Sequence, residues 1–151
     1  MGTLKDLLTA NMRSALKARD ELTTSTLRMA LAAVGTAEVA GKEKRELSDE
    51  EVLSVLTKEA KKRREAATAF AEAGRAEQAA RETAEGEVLE RYLPKQLADD
   101  ELAEVVAAAL SAGGFSGKGQ MGPAMKAAQA AVAGRADGAR VAAEVRRQLA
   151  V

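Results

Sequence analysis

Leu47-Ser48-Asp49-Glu50-Glu51-Val52 is the stretch on which the fold turns. Ser48 at the N-cap and Glu51 three residues on form a capping box, in which each satisfies a backbone N–H that the first helical turn leaves unpaired. Leu47 before the cap and Val52 after it form the hydrophobic staple that fixes the angle at which the chain enters the helix. Val55, Leu56, Ala60, Ala67 and Phe70 then recur at helical spacing until Gly74 interrupts the pattern, which predicts a long amphipathic helix. At about 100° per residue Arg63 falls on the apolar stripe, whereas Lys58, Lys61 and Lys62 face the other way and read as a solvated face. Downstream, Leu89, Tyr92 and Leu93 share a face with Glu82 and Glu85 in a predicted helix over about 75–93. Carboxylates on an apolar stripe are costly unless paired, so Arg63 is expected to pair with one of them.

The rest of the chain extends the helical reading. Ala, Leu, Glu, Lys and Arg dominate the 151 residues, only two are proline, and aromatic residues make up 2%. These are strong helix formers, and the residues that favour sheets are sparse. An all-α fold is therefore expected. Upstream, Thr3 reads as the cap of a first helix carrying Leu4, Leu8 and Met12, and a second helix runs from Thr24 or Thr26 to about 39. Pro94 stops the fourth helix, and Leu97-Ala98-Asp99-Asp100-Glu101-Leu102 repeats the staple spacing with alanine in the capping position. Three further helices follow: one ending at Gly113-Gly114, one starting between Ser116 and Pro123 with Gly134 as its left-handed cap, and one capped by Asp137. The expected organisation is a four-helix lobe, 1–93, and a three-helix lobe, 94–151.

Two absences limit the chemistry. The sequence has no cysteine and no histidine, which removes disulfides, thiolate metal sites, cysteine nucleophiles, the usual zinc ligand and every Ser-His or Cys-His arrangement. Neither a serine-lysine amidase pattern nor a GxxxxGKS/T phosphate loop is present. No catalytic residue, metal ligand or cofactor is assigned. The N-terminus lacks the layout of a signal peptide and no apolar run has the length of a membrane span, so a cytoplasmic protein without membrane association is expected.

Zero net charge conceals an asymmetry. Residues 111–151 carry six bases (Lys118, Lys126, Arg135, Arg140, Arg146 and Arg147) against Asp137 and Glu144. The glycines of Lys118-Gly119-Gln120-Met121-Gly122-Pro123 and Gly134-Arg135-Ala136-Asp137-Gly138 let a backbone approach phosphates closely, although Gly122 and Gly134 are more often needed for helix packing and a C-cap than for such an approach. Lys118, Lys126, Arg135 and Arg140 are the candidate RNA-binding residues. Phe70, Tyr92 and Phe115 are the only aromatics, too few for a stacking platform, so recognition by shape and phosphate is favoured over base reading.

Five stretches in order carry a resemblance: Leu27-Arg28-Met29, Glu50-Glu51-Val52 with Lys61-Lys62-Arg63-Arg64-Glu65, Tyr92-Leu93-Pro94-Lys95-Gln96-Leu97, Met121-Gly122-x-x-Met125-Lys126, and Gly134-Arg135-Ala136-Asp137-Gly138. Together they resemble the GatB/YqeY family over nearly the whole chain. The resemblance implies a helical protein similar to the tail of the B subunit of tRNA-dependent amidotransferase, which helps hold a mischarged tRNA. Gln120 and Pro123 depart from the family's usual acidic and basic residues around the Met-Gly pair, and the prolyl ring removes one basic contact there. The expected function is a non-catalytic tRNA-binding or RNA-binding accessory module, with tRNA and amidotransferase or translation proteins as partners. A protein-interaction module of the translation machinery is the alternative. A carbon-nitrogen ligase activity with glutamine as amido donor would belong to the parent complex.

Overall fold

The computed structural model describes residues 3–150. These residues form seven α-helices and one short 3-10 helix, with no strand among them, so the chain is all-α. They divide into two compact units between Leu93 and Pro94. Each unit has its own apolar cluster.

In the first unit, α1 (Thr3–Lys17), α2 (Glu21–Glu38), α3 (Asp49–Glu72) and α4 (Ala76–Glu90) enclose a core that includes Leu8, Leu27, Val34, Val52, Leu56 and Leu89. The capping box at the start of α3 is complete. Ser48 Oγ accepts from the Glu51 N–H at 3.2 Å, and Glu51 Oε1 accepts from the Ser48 N–H at 3.1 Å. Leu47 and Val52 are both buried in the same cluster, as a staple requires. Gly74 takes a φ of +74° just beyond the end of α3, the left-handed conformation that glycine enters without a Cβ penalty.

Two helix starts differ from the sequence reading. Thr24 and Thr26 lie inside α2, where their hydroxyls donate back to the carbonyls of Asp20 and Leu22, each at 2.7 Å. A hydroxyl bonded backwards in this way is an interior threonine and caps nothing. The cap is Asp20, whose carboxylate accepts from the Thr23 N–H at 3.1 Å. Thr3 is already the first helical residue of α1, and its hydroxyl donates to Asp49 on α3. Asp49 also accepts from the Leu4 N–H at 3.0 Å, so α1 is capped from another helix. At the other end of the unit, α4 stops at Glu90 and the chain tightens through 3-10-type bonds from Tyr92 to Leu89 and from Leu93 to Glu90 before Pro94, which has no N–H to continue the series. Tyr92 and Leu93 still pack against the core from the following turn, and the Tyr92 hydroxyl accepts from Asn11 at 2.7 Å.

In the second unit, α5 (Asp99–Gly113), the 3-10 helix Lys118–Gln120, α6 (Met121–Val132) and α7 (Gly138–Leu149) surround Leu102, Val106, Leu110, Val132, Val141 and Val145. A Cβ at Gly113 would lie 2.2 Å from Cε2 of Phe115, so a larger residue there would have to displace the ring that lies against the core. Asp137 caps α7, accepting from the Arg140 N–H at 3.0 Å. The end of α6 differs slightly from expectation. Ala133 is itself left-handed at φ +51°, and Gly134 follows at +78°, so the reversal into α7 uses two positive-φ residues in succession.

Candidate nucleic-acid interface

The basic residues of the second unit fall into two groups according to what holds them. Arg135 is half-buried, and its guanidinium donates to the carbonyls of Val132 and Ala131, each at 2.9 Å. These carbonyls lie at the C-terminal end of α6 and lack helical partners, so Arg135 caps that end with charge of the favourable sign. Arg140 reaches the segment after Pro94: its guanidinium donates to the Leu97 carbonyl and to Asp99, each at 2.9 Å. The Leu97 N–H in turn donates to the Arg135 carbonyl at 2.7 Å, and the Gln96 amide to Gly134 at 3.3 Å. Arg135 and Arg140 are thereby brought together around the 94–99 segment, which they fasten to the turn between α6 and α7.

Lys126 stands exposed on α6, opposite the buried Ala124 and Ala128, and its ammonium has no hydrogen-bond or ion-pair partner among the described residues. The backbone of Lys118 lies in the 3-10 helix; its side chain is outside the described structure. Arg147 binds Glu144, and the hydrogen bond from Arg147 holds the Glu144 carboxyl below its ordinary pKa. Arg146 is exposed on α7 without a carboxylate partner among the described residues. Lys126 and Arg146, like Lys95 ahead of α5, are thus exposed bases of the second unit that no hydrogen bond or ion pair among the described residues engages.

Gln120 has a clear local task. Its side-chain oxygen accepts from the Ser116 and Gly117 N–H groups at 2.9 and 3.2 Å, closing the loop ahead of α6. The charge asymmetry also runs inside the unit: residues 94–110 carry Lys95 against Asp99, Asp100, Glu101 and Glu104, whereas 111–151 carry the net excess of base. The positive side is therefore the α6–α7 half. The capping role of Arg135 had a sequence signal, an arginine just past a helix end. The reach of Arg140 to Asp99 had none, because the two are separated by 41 residues.

The first unit supplies the expected ion pair. Arg63 lies 3.4 Å from Glu82 and 3.8 Å from Glu85 between α3 and α4. Arg63 Nε and Glu82 Oε2 nevertheless lack a hydrogen-bond partner among the described residues. The pair attracts as charge without the aligned geometry that would make it strong. Glu85 is also bound by Arg81, which extends to Glu21 and Ser25 on α2 at 3.0 Å each.

Fold and side chains together define a class: an all-helical protein of two small units whose polar residues mainly tie helix ends and whose α6–α7 half is basic. The family model described as Yqey-like protein matches residues 5–149, and the chain belongs to that family. No curated protein matches the chain significantly. No described helix is long and apolar enough to cross a membrane.

Proposed function

We propose that this chain is a non-catalytic RNA-binding accessory protein that takes tRNA, with a role similar to that of the tail of the tRNA-dependent amidotransferase B subunit. The observation that carries the reading is the concentration of six bases against two acids over 111–151 in a chain of zero net charge. Such a field attracts a polyanion and orients its approach. The placement of the aromatics supports recognition of phosphate and shape: Tyr92 is hydrogen-bonded to Asn11, and Phe115 packs against the second core. Neither is presented as a platform for a base.

The test is a titration of the protein against tRNA and against an unstructured RNA of equal length over a range of salt. Tighter binding of tRNA is expected, with affinity falling steeply as salt rises. Combined replacement of Lys118, Lys126 and Arg146 by alanine should lower the log–log salt slope by about 2. Arg135→Ala and Arg140→Ala should also weaken binding, with a loss of helix stability that the first set does not show. Absence of binding to either RNA overturns the proposal and favours a protein-interaction module.

A further inference from the structure

We infer that the corner between α1 and α2 is a binding site for a phosphate monoester carried on a ring-bearing body, with the size and chemistry of a nucleoside monophosphate. It lies in the first unit and stands apart from the RNA reading of the second. A cleft of about 310 Å³ opens there, lined by Leu16, Arg19, Glu21, Thr24, Ser25 and Arg28. That volume falls at the lower end of small-ligand sites.

The lining separates into engaged and available groups. The Glu21 carboxylate is taken by Arg81 at 3.0 and 3.2 Å, and the Arg81 hydrogen bond lowers its pKa. Ser25 accepts from the same arginine, and Thr24 donates to the Asp20 carbonyl. The acid and the two hydroxyls are therefore occupied by the protein itself. Arg19 and Arg28 are exposed, and neither guanidinium has a hydrogen-bond or ion-pair partner among the described residues. Leu16 is 52% exposed beside them. Two available guanidinium groups lining one cleft supply the charge that suits a dianionic phosphate better than a single carboxylate. The leucine offers an apolar wall, and an arginine plane offers a stacking surface for the ring.

The backbone at Arg19 strengthens the assignment. Arg19 has a φ of +59° and closes α1, with the Asp20 N–H bonded to the Ala15 carbonyl at 2.9 Å. Glycine is the residue that fits this position without steric cost. An arginine there places a charged side chain in the lining of the cleft at the expense of backbone comfort.

The full-length protein should bind adenosine 5′-monophosphate in a calorimetric titration at low salt, whereas adenosine should not bind. Arg28→Ala should weaken the binding about tenfold or more, the factor expected for loss of one charge-assisted contact. Arg19→Gly should weaken it similarly while leaving the melting temperature equal to or above that of the unaltered protein, an outcome that a merely structural arginine would not give. Parallel titrations with a 5′-phosphorylated and a 5′-hydroxyl oligoribonucleotide separate a free nucleotide from an RNA end as the natural source. Equal affinity of Arg19→Gly, Arg28→Ala and unaltered protein, or binding that ignores the phosphate, overturns the inference. Loss of tRNA binding through the second unit with retained nucleotide binding would leave it standing.

Discussion

Glu51 shows how much one side chain can organise. Its carboxylate accepts from the Ser48 N–H and from the Arg45 guanidinium, and the pairing with Arg45, followed by the backbone bond, takes its pKa from the ordinary 4.5 to about 2. A carboxyl that is more acidic in the folded than in the unfolded chain stabilises the fold fully above the unfolded value and ceases to do so as pH falls through the folded value. Glu51→Gln should therefore remove part of the acid sensitivity between about pH 4.5 and 2. Urea midpoints of the two proteins should differ most at neutral pH and converge toward pH 2; curves that stay parallel would sink the assignment. Other carboxylates share the same direction. Glu38 is almost fully buried and lowered first by its hydrogen bond to Lys5, while Asp49 is lowered first by the Thr3 hydroxyl. Acid lability in the first unit thus lies partly at helix starts, as at Glu51 and Asp20, and partly in contacts that join separate helices, as at Glu38 and Asp49.

At the scale of elements, the starts of α3 and α5 differ by one oxygen atom. Ser48 and Ala98 have nearly the same backbone, with φ/ψ of −69°/165° and −70°/163°. Glu101 accepts from the Ala98 N–H at 2.9 Å as Glu51 does from Ser48. Alanine has no acceptor to return the bond, so α5 begins with half a box. Ala98→Ser should complete it and stabilise the second unit by about 0.5–1 kcal/mol, while Ser48→Ala should cost α3 a similar amount. Chemical denaturation of each variant checks both signs, and an Ala98→Ser protein no more stable than its parent would refute the first. These starts were legible because the signal lies within six residues, and the apolar stripe of α3 was legible for the same local reason. The stripe even led to the Arg63–Glu82 pair, since wheel positions on adjacent helices suffice to bring such charges near. The start of α2 at Asp20 is not legible in the sequence because threonine serves both as a cap and as an interior residue, and only the direction of its hydrogen bond separates the two. The duties of Asp49 and Arg140 were not legible, as their partners lie more than forty residues away. For the candidate interface the sequence located the basic segment. Which of its bases are held by helix ends depends on tertiary contacts that no local pattern encodes.

At the scale of the whole molecule, the chain builds two apolar clusters that share no buried residue. Each should support a fold. A fragment covering 94–151 should give a helical spectrum and a cooperative melt, with a stability of roughly 3 kcal/mol or less because so short a chain buries a small core. The 1–93 fragment should be the more stable of the two. A 94–151 fragment that remains a coil by circular dichroism would mean that its core depends on the rest of the chain. Within 1–93, the Asp49 carboxylate that accepts from Thr3 and Leu4 has a consequence for how the chain comes into being. On a ribosome the segment made first is usually free to settle first. Here the opening turn of α1 lacks its acceptor until synthesis has passed residue 49 and α3 has begun to form. That turn is completed by a side chain that does not yet exist when the turn emerges, so the nascent chain must carry an unfinished helix start while its own fastening is still being made.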